Sequence, residues 1–110
     1  MMKPNLSLAA SGLLRALIAR TAVERDRILL TEWRSVDWQS LTFVGERHEV
    51  GFRISGPDSA RIAAMIVDGL ADAEFTIPGQ IVADIGLAGP LLPQADGSIL
   101  VSLEALTIAE

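Results

Sequence analysis

The chain predicts an α+β fold: two helices packed on one face of an antiparallel sheet of four or five strands, in the order α-β-β-β-α-β-β. Three observations carry this. Leu6, Ala10, Leu13, Leu14, Leu17, Ile18 and Thr21 recur at helical spacing. A second helical pattern runs from Pro57 to Ala73. Between and after them, apolar residues alternate at every second position, the period of a strand with one face covered. With 110 residues the chain suits one domain, 1–110, large enough for its own core without a metal or disulfide. Residues 1–5 are expected to fray.

The first helix takes its cap from Asn5 or Ser7 and ends between Thr21 and Glu24, since Glu24 would fall inside its apolar arc. Ile28–Trp33 is short and rich in β-branched and aromatic types, and reads as a strand. The alternative is a second helix through Trp33, opened by a capping box at Thr21 and Glu24. A hairpin follows. Leu41 and Phe43 share an apolar face with Val50, Phe52 and Ile54 only if Phe43 lies opposite Val50 and Leu41 opposite Phe52. That register puts the turn at Glu46-Arg47, or over Gly45–His48.

Gly56-Pro57-Asp58 opens the second helix. Its apolar arc of about 200° exceeds the about 100° needed to cover a sheet. The surplus calls for two neighbours: the sheet, and either the first helix or a second subunit. Glu74–Ile77 is a short extended piece halted by Pro78-Gly79. Ile81, Ala83, Ile85 and Leu87 form the inward side of the next strand, and Gly89–Gly97 is a connecting loop. Ile99, Val101, Leu103 and Ala105 form the inward side of the last strand. Its outward side includes Leu100, Leu106 and Ile108, too apolar for a fully wet face.

The formal net charge is −5, unevenly spread. Through Arg61 nine bases meet seven acids, for +2, and beyond it seven acids meet no base, for −7. The asymmetry reads either as acidic solvated faces or as surfaces complementary between subunits. An acidic balance without clustered Lys and Arg argues against nucleic acid as a partner. The absence of cysteine excludes disulfides, thiolate metal sites and a cysteine nucleophile. No apolar run approaches the ~20 residues that span a bilayer. Arg15, with Ser7, Ser11 and Gly12, breaks Met1–Ile18 as a secretory signal. A cytoplasmic protein with no membrane partner is expected.

Catalytic motifs are absent: no G-x-S-x-G, no H-E-x-x-H and no glycine-rich phosphate loop. With one histidine and no cysteine, neither a metal nor a cofactor is expected. His48, beside Glu46 at the rim of the core-facing side, is the candidate general base. The plainer reading is a turn histidine bonded to backbone or solvent. Arg53 points to the opposite face with Glu49, Asp84 and Glu104, where it would clamp a small anion. The plainer reading there is a surface ion pair. Met65 on the charged stripe of the second helix, Leu91 and Leu92 in the Pro-flanked loop, and Leu106 and Ile108 on the last strand are candidate interface residues. Trp33 and Trp38, an odd number apart, must occupy opposite faces of any unbroken strand.

Few catalytic groups and a surplus of apolar surface favour a homo-oligomeric, dimeric interaction or accessory protein without catalytic activity. The alternative is an anion-binding protein or enzyme with a site near the Leu41–Ile54 hairpin. The predicted element order also resembles that of type III secretion chaperones, small acidic α+β dimers that hold a partner chain. That resemblance implies a third reading, a chaperone for a partner protein.

Overall fold

The computed structural model describes residues 6–21 and 25–110. The expected fraying of residues 1–5, the Asn5 cap and the Glu24 half of the capping box lie outside them. The elements are α1 (Leu8–Ala19), β1 (Ile28–Gln39), β2 (Val44–Ile54), α2 (Ser59–Val67), β3 (Gln80–Leu87), β4 (Leu92–Pro93) and β5 (Ile99–Ala109). Single 3-10 turns occupy Arg25–Arg27 and Leu70–Asp72. The strands form one antiparallel sheet in the order β1-β2-β5-β3, with β4 beside β5. The fold is the predicted α+β class. Leu13 and Leu17 of α1 and Ile62 and Ile66 of α2 share one core with Val50, Phe52, Ile54, Val101 and Leu103. Both helices therefore cover the same sheet face, and among the described residues the other face carries none.

The element order, α-β-β-α-β-β-β, differs from the expected one because the hairpin forms elsewhere. Ile28–Trp33 is strand, not helix, and it continues to Gln39. β1 pairs with β2 from Ile28↔Ile54 to Gln39↔Val44, and Ser40–Phe43 is the loop. Neither Phe43–Val50 nor Leu41–Phe52 forms: Val50 lies opposite Trp33, Phe52 opposite Leu30, and Leu41 and Phe43 are exposed. The reason is the size of the competing ladders. The observed one aligns eleven residue pairs, while the expected one joined two short strands through a Glu-Arg turn with no preference for the required backbone. Ser40 also closes the observed loop. Its N–H donates to the Phe43 carbonyl at 2.8 Å, and its hydroxyl accepts from the Phe43 N–H at 3.1 Å.

Two bulges adjust which side chains face the helices. The register slips between Leu30 and Glu32 in β1, and between Val82 and Asp84 in β3. One extra residue moves all that follows to the other face. In β3, Val82 and Ile85 pack against the core, while Ile81 and Ala83, expected inward, are exposed. β5 has no slip, and Ile99, Val101, Leu103 and Ala105 are buried as the alternation predicts.

Both helices end for identifiable reasons. Ser7 caps α1, its hydroxyl accepting from the Ala10 N–H at 3.1 Å. α2 stops at Val67, six residues short of the expected Ala73, because Gly69 takes the left-handed conformation at φ +65°. Arg20, at the end of α1, donates to the carbonyls of Ile66 at 3.2 Å and Asp68 at 2.7 Å. It thereby satisfies acceptors that the end of α2 leaves open and ties the two helices together. Ala60 and Ala71, part of the surplus apolar arc, remain exposed. Among the described residues, no helix is long and apolar enough to cross a membrane.

Candidate functional site

His48 lies mid-strand in β2, directly opposite Ser35 of β1 and Ala105 of β5. Its parity with Val50, Phe52 and Ile54 turns the ring toward the helices, as expected. It is not at a rim, however: the residue is 1% exposed. The loop moved from 45–48 to 40–43, so the position expected beside a turn became the middle of a three-strand ladder.

Every polar atom of the ring is occupied. The Trp33 indole N–H donates to Nδ1 at 3.3 Å and to the Ser35 hydroxyl at 3.1 Å. Ser35 Oγ lies 2.8 Å from Nδ1, and Thr107 Oγ1 lies 2.9 Å from Nε2. An indole N–H is a donor only, so Nδ1 is the acceptor, Ser35 donates its hydroxyl to it, and the proton sits on Nε2 facing Thr107. The Trp33 ring meets the imidazole edge-on at 5.7 Å between centroids. Burial pushes the His48 pKa below its ordinary value, and the nearby Glu46 carboxylate opposes this in part. A base must reach a substrate proton; this imidazole is sealed and joins three strands instead.

Glu46 takes a similar structural part, accepting from the hydroxyl of the helix cap Ser7 at 2.7 Å. It also borders a cleft of about 370 Å³ at the hairpin end of the sheet, together with Asp37, Gln39 and Gln80. Asp37 lies directly opposite Glu46. Two facing carboxylates repel an anion, so this cleft does not suit the anionic ligand considered for the hairpin.

The other candidates lie on the helix-free face, where the registers align them in rows across β1, β2, β5 and β3. The row at the hairpin end reads Trp38, Gly45, Ile108, Ile81. The next reads Val36, Arg47, Leu106, Asp84, and the third Arg34, Glu49, Glu104, Gly86. Glu49 and Glu104 are thus neighbours, and Arg34 approaches Glu49 at 3.9 Å. Arg53 is four residues from Glu49 along β2, about 13 Å at strand rise, opposite Leu29 and Leu100. Its guanidinium pairs with Asp96 at 2.6 Å. Asp96 also accepts from the Ser98 hydroxyl at 2.6 Å and N–H at 2.9 Å. Those Ser98 bonds, with Arg53 adding to them, hold its carboxyl well below the usual range. The four residues of the anion-clamp reading are therefore not gathered in one place, and Arg53 is engaged in an ion pair.

Of the interface candidates, Leu91 packs against the core and Met65 is half-buried. Leu92 is exposed in β4 opposite Leu100. Leu106 and Ile108 are half-buried in the middle of the helix-free face. Val36, Trp38 and Ile81 join them there; of these, the sequence singles out Trp38, since its odd separation from Trp33 sends one of the two away from the core. Val36 was hidden by the early end assigned to its strand, and Ile81 by the bulge. No known protein family, curated protein or solved structure matches the chain.

Proposed function

We propose that this is a non-catalytic interaction protein that works as a homo-oligomer, with a dimer as the basic unit, in the cytoplasm. The observation that supports it is the apolar end of the helix-free sheet face. There Trp38, Ile108, Ile81, Val36 and Leu106 are contiguous in two adjacent rows. Val36 and Ile81 are about half exposed. The hairpin tip beside them presents Leu41 and Phe43 to solvent. Contiguous exposed apolar surface marks an interaction site, whereas single exposed apolar residues do not. The containment of His48 among Trp33, Ser35 and Thr107 supports the non-catalytic half of the reading.

Light scattering over a dilution series tests it. The expected mass approaches twice that of the chain at high micromolar concentration and falls on dilution. A mass equal to one chain at every concentration would sink the reading.

A further inference from the structure

The helix-free face has an internal order that selects one way for two copies to meet. Resting on the self-association proposed above, we infer that a second copy of the chain packs on this face about a two-fold axis parallel to the strands, between β2 and β5. Such an axis reverses each row in the facing copy. Trp38 then meets Ile81 of the second copy. Ile108 of the second copy comes over Gly45, the one position in the row without a side chain. The exchange is reciprocal, so both gaps are filled.

An axis perpendicular to the strands sets each strand against its own copy. Gly45 would then face glycine or Arg47, and Asp84 would face Asp84 or Ile81. Neither option puts an apolar side chain over Gly45, and neither brings Arg47 next to Asp84.

Charge selects the same axis. On this face β1 and β2 carry Arg34, Arg47 and Arg53 with Glu32 and Glu49, three bases less two acids for +1, while β5 and β3 carry Glu104 and Asp84 and no base, for −2. Reversal lays the half that holds the arginines over the acidic half of the second copy. Among the described residues, neither Arg47 nor Asp84 has an ion-pair partner within the chain. Both are exposed, and both stand in the row next to the apolar one. In the dimer each Arg47 lies over Leu106 of the second copy, and that copy's Asp84 is one strand spacing away, about 4.8 Å, within reach of the long guanidinium side chain. The third row, with Glu49 beside Glu104, sets a limit to the contact. Reversal would set Glu49 over Glu104 of the second copy and gather four carboxylates, so in this arrangement the two sheets part beyond the second row and leave them in water. Two rows of four residues are fewer than the about 20–30 residues a side of a standard interface, so a dissociable dimer is expected.

Charge exchange in the full chain tests the arrangement, with dimer dissociation read by sedimentation equilibrium and folding by melting temperature. Arg47→Asp and Asp84→Arg should each weaken the dimer by about tenfold or more. The double variant should return to within about threefold of the original. Both positions are exposed, so all three proteins should melt close to the parent. A dimer indifferent to both single changes, or weakened by each without recovery in the double variant, overturns this arrangement and leaves self-association standing through another surface. A parent chain monomeric at high micromolar concentration removes both claims and leaves the face to a different protein.

Discussion

Protonating His48 would place a charge where the core and two flanking strands exclude water. It would also turn Nδ1 from acceptor to donor against the Trp33 N–H. The folded pKa therefore lies below that of the unfolded chain, lowered by burial and partly restored by Glu46. Between the two values the unfolded state binds more protons, so stability rises with pH. The contribution is complete above the ordinary imidazole value of about 6.5 and is lost as pH falls toward the folded pKa. Urea unfolding between pH 7 and 5 should show this decline, and His48→Leu should flatten its histidine component. The same substitution leaves the buried hydroxyl of Thr107 and the half-buried one of Ser35 without the ring, at a cost of about 1–3 kcal/mol at neutral pH. Unchanged stability would mean that the network is incidental. On the other face, Arg53→Ala should barely move the melting temperature, because the pair is half in water. Asp96→Ala should lower it more, since it also releases Ser98.

At the scale of elements, the β1–β2 hairpin separates what alternation specifies from what it leaves open. Alternation assigns faces along a strand, and it does so correctly for Val50, Phe52 and Ile54. It does not say which partner strand supplies the ladder. Leu41 and Phe43 have the right spacing for a strand, and nothing local marks them as a loop tip. The decision is non-local: the run from Ile28 to Gln39 aligns with all of β2, while 41–44 can align with only its end. Bulges escape the same reasoning, which is why Ile81 was assigned inward. Signals carried by one residue and its close neighbours were legible: the Ser7 cap, the inward side of β5 and the separation of Trp33 from Trp38. The register has a direct energetic test. Phe52→Ala should cost about 3–5 kcal/mol, while Leu41→Ala and Phe43→Ala should each stay within about 0.5 kcal/mol. Equal large losses at all three would favour the register with Phe52 opposite Leu41. Ser7→Ala removes both the helix cap and the Glu46 contact and should cost about 1 kcal/mol.

At the scale of the whole molecule, the uneven charge along the chain reaches the sheet only as the placement of its arginines: Arg34, Arg47 and Arg53 lie on β1 and β2, and none lies on β3 or β5. Sequence order places β1 and β2 in the basic half and β3 and β5 in the acidic half, and the topology β1-β2-β5-β3 keeps those halves side by side. One sheet face is covered by both helices. The other ends in an apolar row and a mixed one, Val36, Arg47, Leu106 and Asp84, whose strand-by-strand order complements its own reversal. That complementarity was not legible beforehand, because it depends on the relative placement of the two hairpins, which neither pattern specifies alone. The proposed dimer would cover Trp38, Ile108 and Ile81, which lie on the face that the two helices leave open. Trp38 is the largest side chain of the end row and opposes only a glycine within its sheet, so Trp38→Glu should abolish association while leaving the fold intact. The most direct measurement is sedimentation equilibrium of the parent chain and of Trp38→Glu across the same concentrations. We expect a dimer that dissociates on dilution for the parent and a monomer of near-parental melting temperature for the variant. A parent that stays monomeric throughout, or a variant that dimerises as well as the parent, would contradict the account.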